Sequence, residues 1–203
     1  MSRWAKFCGW LLKKMGWTTV GGPAPESKCI ILGVPHTSVW DFVVSYLFYT
    51  QFDRTAHVMI KKEFFFWPVG VFLRKVGCIP VDSPRTRPTS LRKVGCIPVD
   101  RGSAAAMVKG LIEEMEKVDQ FHLAIAPEGT RKAVKKWKTG YHLIAREVGC
   151  PVYMGFFDWK TKRVGIGEKV ELTDDARADT DRIQTIYETM HFEGKHPEGY
   201  ITH

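Results

Sequence analysis

Two short stretches of this chain carry residue types and spacings able to do chemistry. The first is PHTSVWD, residues 35–41, in which four residues separate His36 from Asp41. On a continuous helix, positions five apart sit roughly 140° apart around the axis and do not touch. A turn at Thr37–Ser38, with either residue as N-cap, instead folds the imidazole back over the helix start toward Asp41. In that arrangement the carboxylate fixes the imidazole tautomer, and the other ring nitrogen is free to take a proton from a hydroxyl. The same spacing also suits a capped turn with no chemistry. The second stretch is APEGTR, residues 126–131. Gly129 suits a tight turn that brings backbone close to a ligand. Arg131 offers a planar fork to phosphate or carboxylate. Glu128 either holds that arginine or meets a substrate hydroxyl. The plain alternative is a surface turn with an exposed ion pair, worth little.

Both stretches need elements that hold them. Cys29–Val34 is a short apolar run that reads as a buried strand, and Phe42–Phe52 reads as a helix. PHTSVWD therefore lies just past a strand, where open α/β sheets place their sites. Phe121–Ala126 is a strand that runs into PEGTR. Further strands are expected at Ala56–Ile60, in CIPV, at Pro151–Phe157 and over 162–167. Helices are expected over Phe64–Val76, Ala104–Lys117, Thr139–Val148 and Asp175–Met190. Alternating strands and helices predict an α/β fold with a largely parallel central sheet flanked by helices. The expected organisation is an amphipathic helix over 1–22, one domain over 23–190, and a loosely ordered tail over 191–203.

Composition narrows the partners. The 203 residues carry a net charge of +8, with a pI near 9.3. That balance favours an anionic partner: nucleic acid, an acidic membrane surface or a phosphorylated substrate. The basic residues are scattered and match no nucleic-acid recognition motif, so nucleic acid is not expected. Five cysteines without a CxxC fit reduced thiols in a cytosolic setting. No HExxH or similar spacing occurs, so no metal is expected. No apolar run is long enough for a membrane-spanning helix. The start, MSRWAKFCGWLLKKMGW, would place Trp4, Phe7, Cys8, Leu11 and Met15 on one helical stripe. Trp10 and Leu12 widen the apolar side, and Arg3, Lys6, Lys13 and Lys14 add charge. This pattern suits a helix lying in a membrane interface, or one packed on the domain.

Taken in order, PHTSVWD, KKEFFFWP (61–68), GCIPVDR (95–101), APEGTR and WKTG (137–140) resemble the landmarks of the glycerolipid acyltransferase family, in its small bacterial form. The resemblance runs from about Cys29 to Asp181. It implies an acyltransferase that moves a fatty acyl group from acyl-CoA or acyl-carrier protein to a lysophospholipid hydroxyl, with 1-acylglycerol-3-phosphate the default acceptor. His36 would be the general base and Asp41 its partner. Arg131 and Arg101, with Lys61, would bind the acceptor's phosphate, and Glu128, Gly129 and Thr130 would shape its pocket. No cofactor is implied beyond the donor, and no cysteine has a catalytic role. Backbone N–H groups at a helix start would receive the developing oxyanion. The implied location is peripheral, on the cytoplasmic face of an anionic membrane. Val39 departs from the asparagine common in close relatives, which should tune the pocket.

One feature departs further. Leu73–Asp82 recurs letter for letter at Leu91–Asp100. Removing residues 73–90 or residues 83–100 from the 203 leaves the same 185-residue chain, with ordinary spacing for the family. The repeat therefore reads as an 18-residue insertion. Arg101 follows the second copy directly, whereas Ser83 follows the first, so the second copy is expected in the sheet. An inactive membrane-surface scaffold of the same fold is the alternative reading, against which the intact His36, Asp41 and PEGTR count.

Overall fold

The computed structural model describes residues 1–61, 65–81 and 104–200. Its strands are β1 (Thr18–Val20), β2 (Lys28–Val34), β3 (Ala56–Lys61), β4 (Cys78–Val81), β5 (Phe121–Ile125), β6 (Val152–Asp158) and β7 (Arg163–Val170). They form one sheet in the order β1-β7-β6-β2-β5-β3-β4. Every neighbouring pair is parallel except the β6–β7 hairpin. The helices are α1 (Arg3–Lys14), α2 (Trp40–Thr50), α3 (Val69–Lys75), α4 (Ala104–Glu116), α5 (Gly140–Val148) and α6 (Ala176–Thr189). The expected α/β fold with a mostly parallel sheet is what the chain adopts.

Strand periodicity divides the core in two. Along β2, Ile30, Leu32 and Val34 join Val108, Leu111 and Met115 of α4, Tyr141 and Ile144 of α5, and Ile183 and Tyr187 of α6. Cys29 and Ile31 point to the other face, where Cys8 and Leu12 of α1 and Val44, Leu47 and Phe48 of α2 cover them. A central strand covered on both faces is apolar throughout, which is why CIILGV lacks alternation. The Tyr187 hydroxyl donates to the carbonyls of Leu32 (3.0 Å) and Gly155 (2.9 Å), pinning α6 across β2 and β6.

In α1, the Ser2 hydroxyl accepts the Ala5 N–H, and Lys13 and Lys14 occupy the last turn, where the helix dipole favours cations. The expected single stripe is split. Cys8 and Leu12 are buried on α2, while Trp4, Phe7 and Trp10 are exposed, with successive ring centroids 5.3 and 5.8 Å apart.

Other expectations change, and one strand is added. The helix expected over Phe64–Val76 starts only at Val69, after Pro68, and residues 62–64 lie outside the described residues. β1, three exposed residues, was too short to read. The tail is not loose: residues 191–200 pack on the domain, with Phe192 stacked on Phe156 at 4.6 Å. The last concerns the repeat. The first copy enters the sheet, as β4 paired to β3, with Cys78 buried beside Leu73 and Val76, and the second copy, expected there, lies outside the described residues. The reason is continuity. Helix α3 runs through Leu73–Lys75 into that copy and turns at Gly77, whose φ is +90°. Arg101 and Cys96 lie outside the described residues.

Candidate active site

Three adjacent parallel strands, β6, β2 and β5, end on the same edge of the sheet and hand on to Trp159, to PHTSVWD and to APEGTR. This is the edge on which open parallel sheets gather ligands. The chain leaves β2 at Val34, turns through Thr37–Ser38 and enters α2. His36 Nδ1 comes to 3.3 Å from Asp41 Oδ2, with the imidazole 29% exposed and the carboxylate 1%. The local geometry differs from the expected cap. Val39 occupies the N-cap position without a side-chain bond, while the Ser38 hydroxyl, one residue earlier, accepts the Trp40 N–H at 3.2 Å. Asp41, inside the first turn, reaches back: its Oδ2 accepts the N–H groups of Thr37 (2.9 Å) and Ser38 (2.7 Å). Both donors are thus taken by Asp41, and neither is left for a developing oxyanion.

Asp41 has a further partner that the sequence did not reveal. Trp159, just past β6, donates its indole N–H to Asp41 Oδ1 at 2.7 Å. Three N–H donors and an imidazole therefore surround a carboxylate almost wholly removed from water. Such a group can hold the ring in one tautomer and stabilise it when protonated. Trp159 is itself held, edge-on to Trp17 at 4.9 Å and with Lys195 Nζ 5.0 Å above it. Trp159 is 118 positions from Asp41, and nothing in the polar turn around it distinguishes it from a surface residue.

Glu128 does not hold Arg131. Its Oε1 accepts the backbone N–H of His36 at 2.8 Å, joining the two stretches. Its Oε2 is buried and has no hydrogen-bond partner among the described residues. Burial pushes the carboxyl up to about 7, against the pull of the His36 N–H. Gly129 sits at φ +65°, and a Cβ there would come within 2.7 Å of the Lys138 side chain. The Lys138 N–H donates to the Pro127 carbonyl at 2.8 Å, so the WKTG segment braces the PEG turn. The Thr130 hydroxyl accepts the Lys132 N–H at 3.3 Å. Arg131 is exposed, and its guanidinium makes no ion pair among the described residues.

Arg131, Lys132, Thr37 and the tail residues His196, Glu198 and Gly199 line an open cleft of about 480 Å³. Lys61 is the last residue of β3, on the same sheet edge. The arrangement brings an imidazole, its carboxylate, a second carboxyl and a free guanidinium to one edge. That set suits proton abstraction from a hydroxyl on an anionic molecule.

The cysteines stand apart from this set. Cys8, Cys29, Cys78 and Cys150 are buried. Burial raises the thiol of Cys8, lifts those of Cys29 and Cys78 to about 12, and lifts that of Cys150 to about 11. None of these four is a ready nucleophile.

A family model described as Acyltransferase matches residues 18–154, more than half of the chain and both stretches. No curated protein matches the chain.

Proposed function

Because the chain belongs to the acyltransferase family, we propose that it transfers a fatty acyl group from acyl-CoA or acyl-carrier protein to the hydroxyl of a lysophospholipid, with 1-acylglycerol-3-phosphate as acceptor. The observation that carries this reading is the partly exposed imidazole of His36, backed by Asp41 and set beside an open basic cleft. In the proposed reaction His36 Nε2 takes the proton of the acceptor hydroxyl as its oxygen attacks the thioester carbonyl carbon. Asp41 stabilises the imidazolium. The tetrahedral intermediate collapses with cleavage of the C–S bond, and the imidazolium returns its proton to the departing thiolate. An ester and a thiol result, with no acyl-enzyme. The raised thiols of the buried cysteines agree with that route.

Arg131 takes the acceptor's phosphate in this proposal, with Arg101 and Lys61 as further ligands. Glu128, Gly129 and Thr130 shape the acceptor pocket, and the unpartnered Oε2 of Glu128 offers an acceptor to a bound hydroxyl. Among the described residues no helix is long and apolar enough to cross a membrane. Attachment is proposed through the exposed Trp4, Phe7 and Trp10 of α1, with its basic residues facing anionic lipid at the cytoplasmic face.

The test is acyl transfer in detergent micelles. The expected result is transfer to 1-acylglycerol-3-phosphate from at least one donor, and much weaker transfer to monoacylglycerol, which lacks the phosphate. Folded protein that transfers to neither acceptor from either donor contradicts the proposal.

A further inference from the structure

The family match ends at Met154, yet much of what surrounds PHTSVWD comes from beyond it. After α6 the chain returns across the active edge. The Trp159 N–H donates to the Glu193 carbonyl at 2.9 Å, and the Glu193 N–H donates to Asp158 Oδ1 at 3.2 Å. Lys195 Nζ lies 4.8 Å above Trp40 and 5.0 Å above Trp159, the indole that holds Asp41. The His196 N–H donates to the Thr37 hydroxyl at 3.2 Å. Two glycines bring this strap down onto the site. A Cβ at Gly194 would lie 2.5 Å from the Thr37 side chain, and one at Gly199 would lie 2.8 Å from the Arg131 carbonyl. The cleft thus has two walls of different origin. Arg131 and Lys132 form one, from the loop after β5. His196, Glu198 and Gly199 form the other, from the strap, with Thr37 between them.

We propose that residues 192–200 are a specificity-determining wall of the acceptor site, with His196 facing Arg131 and Lys132 across the cleft to bind a phosphomonoester headgroup. This rests on the lysophospholipid reading above. The strap would be a built part of the site: it is tied at Glu193, Lys195 and His196 to the residues that hold His36 and Asp41. Glu198 also lines the cleft, with Oε1 3.7 Å from His196 Nδ1. In the proposal a ring nitrogen of His196 that carries hydrogen donates to the headgroup. The short approaches at Gly194 and Gly199 fix the distance between the walls, and with it the size of headgroup that enters.

The experiment pairs kinetics with a binding readout that needs no turnover. His196→Ala is compared with wild type and with His191→Ala, an exposed tail position outside the cleft. In His196→Ala the KM for 1-acylglycerol-3-phosphate is expected to rise about tenfold, the loss of one hydrogen bond to a charged group. The KM for the donor, kcat and the melting temperature should stay at wild-type values. In parallel, histidine ring resonances are followed by NMR during titration with sn-glycerol 3-phosphate and, separately, inorganic phosphate. The His196 signal, identified by its absence in His196→Ala, should move with glycerol 3-phosphate, and less with inorganic phosphate at equal concentration. It should do so equally in His36→Ala. An acceptor KM unchanged in His196→Ala overturns the proposal, as does a His196 signal that ignores glycerol 3-phosphate or follows inorganic phosphate equally. If the wild type transfers no acyl group, the lysophospholipid reading fails. A His196 response to glycerol 3-phosphate then still supports the strap as a phosphomonoester site.

Discussion

Two buried carboxyl groups lie within one bond network at the active edge, and the fold treats them in opposite ways. Asp41 is 1% exposed and is met by the N–H groups of Thr37, Ser38 and Trp159 and by the His36 ring. Glu128 is 5% exposed and is met by the His36 N–H alone, with Oε2 unpartnered among the described residues. A buried acceptor without a donor costs on the order of 1–3 kcal/mol, so such a group is unusual in a folded chain. The contrast separates two roles. A carboxylate whose every need is met by the protein can orient a base. A carboxyl left wanting is, in the function proposed above, the acceptor for a bound hydroxyl.

Removing the satisfied member should do the most damage. Asp41→Asn keeps the size but places an amide against three N–H donors. Its kcat is expected to fall by about 10²–10⁴-fold, the range of positioned acid–base catalysis. Stability should also fall, by roughly 2–4 kcal/mol, because buried donors lose their acceptor. Steady-state kinetics and urea unfolding check both, and unchanged kcat in a folded variant would break the comparison.

Glu128→Gln tests the other member by its pH dependence. The folded carboxyl titrates at about 7 and the unfolded one near 4.5, so between these values the folded state binds more protons. The contribution of the protonated group to stability is therefore full below pH 4.5 and is lost as pH rises toward 7. The stability of Glu128→Gln relative to wild type should increase across that window, by about 3 kcal/mol at most, and level off above it. A difference that is flat from pH 4.5 to 8 would remove the distinction drawn between the two carboxyls.

Trp159→Phe takes one donor from Asp41 while keeping a ring beside Trp17. We expect kcat to fall about tenfold and stability by about 1 kcal/mol. Equal kcat would show that two backbone donors suffice.

The smallest effect belongs to two imidazoles away from the active edge. His122 and His57 pair with the opposite end of the sheet, near Phe121 and Ala56, and burial lowers both pKa values. Their neutral forms contribute stability above pH 6.5 that is lost as pH falls below it, opposite in sign to Glu128. His57→Phe, which preserves the stack on Phe121, should lessen that acid-side loss in a denaturation series. An unchanged loss would contradict the assignment.

How much of this was legible follows from the range of the interactions. CIILGV and FHLAI announced buried strands because covered strands are apolar throughout. The junctions of β2 with PHTSVWD and of β5 with APEGTR followed from adjacency in the chain. The approach of His36 to Asp41 was also local and readable, and Ser38 does accept the Trp40 N–H, but the backward bonds from Asp41 to the Thr37 and Ser38 N–H groups were not foreseen. Trp159 and the strap were invisible because their contacts with Asp41 and Thr37 span 118 and 159 positions and their residue types suit any surface turn. For the repeat, the expectation weighted the arginine after the second copy, whereas the strand beside β3 is the first copy, reached directly from α3; the second copy lies outside the described residues.

The account turns on His36 as the base that takes the acceptor proton. The most direct measurement is acyl transfer to 1-acylglycerol-3-phosphate by His36→Ala beside wild type, with melting temperatures matched. The prediction is a fall of about 10²–10⁴-fold in kcat, since the ring would no longer accept the hydroxyl proton. Equal rates in the two proteins would contradict it, and would remove Asp41 and its three donors from the mechanism as well.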